Sequence, residues 1–292
     1  MKTIDELYDK HYCGKWENLI GDIPSDSIDL IVTSPPYNVN LGNNKHKKDK
    51  YDSYEDNMPY DDYLKWITLL FDNCNRILKE GGRFCINIGD GANGSVPTHA
   101  DFTHILTRCI AQGGCEGPFF FNKNNHELHL KPFKMMTTIV WDKNQIGSST
   151  AWGSWASPSQ PSFPTQFEFI IIVGKGTTKH QGQGKASVSS DNFIRNSRAL
   201  WTFHPETQMI KEYDHPAIFP EELPRRCIDQ LTYVGDVVLD PFSGCGTVCA
   251  VAKKMGRHYI GFEMSEKYHN KACSRLSLIP QLDDNGLPKW MK

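Results

Sequence analysis

Short hydrophobic runs alternate along this chain with amphipathic stretches, and the alternation predicts strands and helices in turn. Residues 60–78 carry apolar side chains mostly three or four positions apart, which is typical of a helix with one buried face. Further helices are predicted at 101–111 and from Phe219 onward, and a helix or turn at 16–23. The Gly81-Gly82 pair is expected to end the helix at 60–78. Apolar runs that are typical of buried strands occupy residues 28–32, 84–88, 136–141, 167–173, 237–240 and 258–263.

This order of elements predicts an α/β fold. We expect a Rossmann-like, mostly parallel, twisted sheet flanked by helices, in a single domain spanning residues 1–292. Within the run at 167–173, Glu168 does not fit a fully buried strand.

The predicted strand at 28–32 leads into a turn whose side chains and carbonyl groups could bind a substrate. Residues 33–37, Thr-Ser-Pro-Pro-Tyr, form a rigid turn, because proline fixes φ and restricts the residue before it. The Ser34 hydroxyl and the Pro35 carbonyl are hydrogen-bond acceptors, and Tyr37 offers a flat face to a planar substrate. Acceptors beside an aromatic ring suit the exocyclic amino group of a base. The alternative is a purely structural turn with a core tyrosine.

A second strand, at 237–240, leads into the glycine-containing turn at 241–247. A helix is predicted after it, so backbone N–H groups and a helix N-terminus would face a carboxylate or phosphate. The next strand ends at Glu263, roughly 20 residues past the turn, where a carboxylate can hold the two hydroxyls of a ribose. Parallel strands deliver their carboxyl ends to one edge of a sheet, so both turns are expected to share one pocket.

On these residues the chain resembles the permuted (beta) class of amino-group DNA methyltransferases, which use S-adenosyl-L-methionine. The shared blocks are Ser34–Tyr37, His215–Leu223 and Phe242–Gly246, in that order. The resemblance implies that Ser34, Pro35, Pro36 and Tyr37 are catalytic. It implies that the cofactor S-adenosyl-L-methionine is bound by Thr33, His215, Phe219, Asp240, Pro241, Phe242, Ser243, Gly244, Gly246, Thr247 and Glu263.

The reaction implied by the resemblance is methyl transfer to the exocyclic amino group of a base that has swung out of the duplex. Serine at position 34 is more typical of family members that act on cytosine N4, whereas aspartate there is more typical of those acting on adenine N6. Cytosine N4 is therefore the preferred target, and adenine N6 is the alternative. RNA or protein-glutamine amide methylation, and a non-catalytic DNA-binding subunit, are further alternatives.

A net charge of −2 provides no global signature for nucleic acid, so local basic clusters carry the prediction of DNA binding. Residues 40–58, 142–166 and 174–205 are predicted to be DNA-recognition loops, with flexible connectors or solvated surface as the alternative. The candidate contacts to double-stranded DNA are Lys45, Lys47, Lys48, Lys179, Lys185, Arg195 and Arg198. A cognate restriction endonuclease is a further candidate partner.

The nine cysteines include no Cys-x-x-Cys pair, so we expect neither a metal site nor a disulfide framework. The charged amino-terminal segment does not resemble a signal peptide, and no apolar run approaches the length of a membrane span. The sequence therefore predicts a cytoplasmic protein without a membrane partner.

Overall fold

The structure is a computed structural model that describes residues 2–38, 57–91, 96–108, 131–144, 154, 157–161, 163, 165–215 and 217–280. In these parts of the chain, one sheet contains the strands β1 (Lys10–Cys13), β2 (Ile28–Thr33), β3 (Leu78–Ile88), β4 (Lys134–Asp142), β5 (Phe167–Gly174), β6 (Leu200–Thr202), β7 (Val237–Asp240) and β8 (His258–Glu263). Their spatial order is β1-β8-β7-β2-β3-β5-β4-β6. Neighbouring strands are parallel except where β5 meets β3 and β4, so β5 alone runs in the opposite direction. The predicted mostly parallel sheet is confirmed.

Helices cover both faces of this sheet. They are α1 (Trp16–Leu19), α2 (Tyr60–Ile77), α3 (Thr98–Arg108), α4 (Ser190–Asn196), α5 (Gln208–Tyr213), α6 (Glu222–Leu231), α7 (Thr247–Lys254) and α8 (Glu266–Ser277), with 3₁₀ turns at Ile4–Glu6 and Ile20–Asp22. Successive residues of β2 point to opposite faces: Ile31 packs in the core that contains α2, whereas Leu30 and Val32 pack in the core that contains α6 and α7. None of the described helices has the length and apolar character that crossing a membrane requires.

The predicted helix at 60–78 is present as α2, but the prediction that the Gly81-Gly82 pair ends it was wrong. α2 ends at Ile77, and Leu78 already has extended dihedral angles, so the Gly81-Gly82 pair lies inside β3. Gly81 has φ +74° and lies against the Lys179 carbonyl, where a Cβ would have no room. The glycine pair therefore permits a close chain approach within a strand instead of terminating a helix.

The prediction that residues 174–205 form a loop was also wrong in part, because α4 and β6 lie within that segment. The Ser189 hydroxyl caps α4 by accepting a hydrogen bond from the Asn192 amide at 3.3 Å. Phe193 and Ile194 are exposed, so the helix has no buried apolar stripe and left no periodic pattern in the sequence.

Candidate active site

A cavity of about 560 Å³ opens where β2, β7 and β8 end. The turn after β2 and the turn after β7 both line it, as the parallel topology predicts. The lining includes all four candidate catalytic residues, Ser34, Pro35, Pro36 and Tyr37. It also includes the candidate cofactor residues His215, Phe219, Asp240, Pro241, Phe242, Ser243, Gly244, Thr247 and Glu263. The remaining two candidates, Thr33 and Gly246, are outside the lining.

The carboxylate of Asp240 joins the ends of β7 and β2. Its Oδ1 accepts hydrogen bonds from the Thr33 hydroxyl at 2.7 Å and from the Phe242 amide at 3.0 Å. Asp240 is only 1% exposed, and this burial raises the pKa of its carboxyl group to about 7. The observed bonds of Asp240 therefore brace the glycine turn against the neighbouring strand.

Glu263, at the end of β8, holds the other side of the same turn. Its Oε2 accepts a hydrogen bond from the Gly244 amide at 2.9 Å, and its Oε1 accepts one from the Ser265 amide at 2.7 Å. Gly244 has φ +51°, and a Cβ there would lie 3.0 Å from His215 Nε2. The turn thus requires glycine both for its backbone conformation and for its contact with the histidine ring.

His215 forms a neutral wall of the cavity. Burial lowers the pKa of its imidazole to about 4, and its Nδ1 accepts a hydrogen bond from the Ala217 amide at 3.2 Å. The ring packs against Tyr268 with centroids 4.3 Å apart. Phe219 and Phe242 also line the cavity, so this part of it is largely uncharged and apolar.

The proline turn is held by hydrogen bonds to both its backbone and its tyrosine. The buried Tyr63 of α2 donates its hydroxyl to the Pro36 carbonyl at 2.7 Å. The Tyr37 hydroxyl accepts a hydrogen bond from Asn87 Nδ2 at 2.8 Å and donates to Glu168 Oε2 at 2.8 Å. Ser34 Oγ lies 3.2 Å from both the Tyr37 hydroxyl and the Asn87 carbonyl oxygen.

Sequence reasoning missed Asn87, Lys143 and Glu168, which line the same cavity. Asn87 Nδ2 donates to Glu168 Oε2 at 2.7 Å, and the Lys143 ammonium donates to Glu168 Oε1. Because β5 runs opposite to its neighbours, its amino end carries Glu168 to the edge where the other strands end. The signal in the sequence was an acid within an apolar strand, which read as a misfit and not as part of a site.

The candidate DNA contacts are spread over the molecule. Lys179 and Lys185 are exposed at the opposite edge of the sheet: Lys179 lies against Gly81 early in β3, and the Lys185 carbonyl binds the Val234 amide ahead of β7. Arg195 is exposed on α4, and Arg198 is exposed just before β6. Lys45, Lys47 and Lys48 lie outside the described residues. DNA contact by any of these seven side chains stays a prediction.

Two groups of potential metal ligands occur in the part of the chain that the structure describes. They are His11, His269 and Cys273, and Asp29, His180 and Asp236. None of these six residues lines the cavity. The cavity itself presents hydroxyl, carboxylate, amide, ammonium and aromatic groups.

Comparison with known proteins identifies the family. The N6/N4 family model described as "DNA methylase" matches residues 28–274. Type II methyltransferase M.BglII of Bacillus subtilis is 30% identical over 290 residues, which cover 94% of this chain and 71% of that protein. Type II methyltransferase M.MjaVI of Methanocaldococcus jannaschii is 33% identical over 196 residues, covering 66% of this chain and 86% of that protein.

A solved structure agrees with this result. A Thermus thermophilus protein, described as a putative DNA modification methylase and complexed with S-adenosyl-L-methionine, matches with a TM-score of 0.63 and 25% identity over 96% of each chain. The chain therefore belongs to the N6/N4 family of DNA methylases, the amino-group DNA methyltransferases.

Proposed function

We propose that this protein is a site-specific DNA methyltransferase that transfers a methyl group from S-adenosyl-L-methionine to the exocyclic amino group of a flipped base, with cytosine N4 as the target. The observation that carries the proposal is the shared cavity, which has the Ser34–Tyr37 turn on one side and the glycine turn on the other. Its volume of about 560 Å³ falls within the range that small-molecule sites occupy.

The glycine-turn side of the cavity suits the cofactor, which supplies a methyl group activated by its sulfonium. Glu263 is the residue that would hold the ribose hydroxyls, because its carboxylate lines the cavity at the end of β8 and carboxylate oxygens accept hydrogen bonds from hydroxyls. Phe219, Phe242 and His215 would pack against the uncharged parts. We assign Thr33 and Asp240 to bracing the turn, because their bond to each other joins two strand ends.

The proline-turn side suits the target amine. A base inside a duplex cannot reach the cavity, so it has to leave the helix, and the Tyr37 ring would support it. Ser34 Oγ and the Pro35 carbonyl would accept the amine hydrogens and stabilise the positive charge that develops on nitrogen. Serine at position 34 supports cytosine N4, with adenine N6 as the alternative target. The Type II names of the two relatives support a restriction–modification setting, so the partner we propose is a cognate endonuclease.

Product analysis tests this function directly. The protein is incubated with duplex DNA and S-adenosyl-L-methionine, the DNA is digested to nucleosides, and the modified nucleoside is identified by mass. We expect N4-methylcytosine. A product of 6-methyladenine would overturn the choice of base, and the absence of any methylated nucleoside would overturn the function. Ser34→Ala serves as the companion variant, with a transfer rate expected to fall about 10²-fold because one acceptor is lost.

A further inference from the structure

We propose that Glu168 receives the proton that the target amine releases, and that the proton reaches it through Ser34 and Tyr37. The inference rests on the proposed function and adds residues and a proton path to it. Its basis is a continuous series of hydrogen-bonding groups that begins at the proline turn and ends on a carboxylate from a distant strand.

The direction of β5 places Glu168 where such an acceptor is needed. Near the amino end of β5, Glu168 pairs with Trp141 of β4, and the adjoining β3 brings Asn87 alongside. The side chain of Glu168 is 12% exposed and lines the cavity. Glu168 is therefore mostly shielded from water but lies beside the space that a flipped base would enter.

The donors around Tyr37 give the hydrogen bonds a direction. Asn87 Nδ2 donates to the Tyr37 oxygen at 2.8 Å, so the hydroxyl hydrogen of Tyr37 points to Glu168 Oε2, also 2.8 Å away. The orientation of the Asn87 amide is fixed, because Nδ2 also donates to the Glu168 carboxylate at 2.7 Å and a carboxylate has no hydrogen to give. Ser34 Oγ lies 3.2 Å from both the Tyr37 oxygen and the Asn87 carbonyl oxygen, so its hydrogen has two acceptors, and donation to Tyr37 continues the same direction.

Among the hydrogen-bonded side chains Ser34, Tyr37, Asn87, Lys143 and Glu168, only the Glu168 carboxylate can take up a proton without giving one up. The Lys143 ammonium and the Asn87 amide both donate to Glu168, and an ammonium has no lone pair with which to accept a proton. Ser34 and Tyr37 can each accept a hydrogen only by passing another one on. A proton that enters at Ser34 therefore ends on Glu168.

The amine nitrogen forms a bond to the methyl carbon with its lone pair, and the carbon–sulfur bond breaks and leaves its electron pair on sulfur. The amine proton moves to Ser34 Oγ, the Ser34 hydroxyl proton moves to Tyr37, and the Tyr37 hydroxyl proton moves to Glu168. Glu168 becomes a neutral carboxylic acid and returns the proton to water after the methylated base leaves the cavity.

Two variants interrupt this path at different points. Glu168→Gln removes the final acceptor, and Tyr37→Phe removes the middle hydroxyl but keeps the aromatic ring. We expect each variant to slow single-turnover methyl transfer by about 10²-fold or more, as for other positioned acid–base groups. The double variant is expected to be no slower than the slower single variant, because both changes break the same path.

A matched control is available in α3. Asp101 Oδ2 accepts the hydroxyl of Tyr60 at 2.7 Å, which repeats the tyrosine–carboxylate pair away from the cavity lining. Asp101→Asn is expected to transfer methyl groups at the wild-type rate. Binding of S-adenosylhomocysteine and of duplex DNA, together with the thermal unfolding midpoint, should change little in Glu168→Gln. These readouts separate loss of the proton path from loss of binding or of the fold.

Chemical rescue adds a readout that a structural role would not give. In Glu168→Ala, added formate should restore part of the lost rate, whereas an equal concentration of chloride should not. The relay is overturned if Glu168→Gln keeps the wild-type rate, if the two single effects multiply in the double variant, or if formate has no effect. Should Glu168→Gln unfold, Tyr37→Phe decides alone, and a wild-type rate in that variant overturns the relay. A wild-type protein that methylates no DNA would overturn the proposed function itself, whereas an active wild type beside an equally active Glu168→Gln overturns only the relay.

Discussion

The two turns that face the cavity are held in place in different ways. The proline turn depends on side chains from distant positions: its partners Tyr63, Asn87 and Glu168 are separated from it by 27, 50 and 131 residues. The glycine turn depends mainly on carboxylates close in sequence, since Asp240 and Glu263 lie 2 and 19 residues from the amides they bind, although Asp240 also accepts the Thr33 hydroxyl from 207 residues away. One turn is stabilised mainly by long-range packing and the other by its own motif.

This difference predicts separable effects on function. Changes near the glycine turn should weaken cofactor binding, because its backbone is shaped by the carboxylates around it. Changes in the side chains around the proline turn should lower the rate of methyl transfer and leave cofactor affinity nearly unchanged. Variants at each turn test whether the comparison holds.

The largest of these effects is expected for Glu263→Gln. The amide side chain keeps one acceptor but loses the charge that strengthens the bonds to Gly244 and Ser265. We expect the affinity for S-adenosylhomocysteine to fall by about 2–3 kcal/mol, as measured by titration calorimetry. The rate of methyl transfer at saturating S-adenosyl-L-methionine should change much less than this affinity.

The control for this variant is Glu266→Gln, at the start of α8. Glu266 is exposed and is not part of the cavity lining, so the same chemical change should leave affinity unaltered. If Glu263→Gln binds S-adenosylhomocysteine as tightly as the wild type, the carboxylate does not shape the cofactor side, and the comparison between the turns fails.

The same contrast explains how much could be read from the sequence. The strand, glycine turn, helix and second strand that end at Glu263 were predicted in order, because most of the contacts that shape the turn are close in sequence. The proline turn was also recognised from the sequence, but the side chains that contact it, Asn87 and Glu168, were not. Glu168 reaches Tyr37 only because one strand of the sheet is reversed, and no periodic pattern encodes strand direction.

Two fold errors have related physical causes. Gly81 and Gly82 were taken as a helix end because glycine commonly ends helices, whereas here the contact with the Lys179 carbonyl decides their role. α4 was missed because it buries almost none of its apolar side chains. In both cases a tertiary contact, or the lack of one, outweighed the local pattern.

A second effect concerns pH and Asp240. The folded state raises the pKa of this buried carboxyl group to about 7, so the folded protein retains a proton that the unfolded chain loses above its ordinary pKa. The stability contributed by this group is therefore present at low pH and is lost as pH rises toward 7. We expect the stability of the wild type relative to Asp240→Asn to fall by about 1 kcal/mol per pH unit between pH 5 and 7, and to level off above that.

Urea unfolding at a series of pH values measures this difference. The asparagine variant keeps an oxygen that can accept from the Thr33 hydroxyl and the Phe242 amide, so it serves as the reference without a titrating group. A difference that does not vary with pH would show that the carboxyl group is ionised in the folded state. The glycine turn would then be braced by a charge on each side.

The smallest effect, and the sharpest test of the comparison, is expected for Tyr63→Phe. This change removes the 2.7 Å hydrogen bond to the Pro36 carbonyl and should lower the unfolding free energy by about 1 kcal/mol. Tyr12→Phe is the matched control, because the Tyr12 hydroxyl donates to the Leu7 carbonyl at 2.9 Å, outside the cavity lining. Both variants should lose similar stability in urea unfolding, but only Tyr63→Phe should slow single-turnover methyl transfer, by a few-fold, because only there does the lost bond position the proline turn. Equal rates in the two variants would mean that the consecutive prolines are rigid enough without Tyr63, and that the long-range contacts of this turn act through Tyr37 alone.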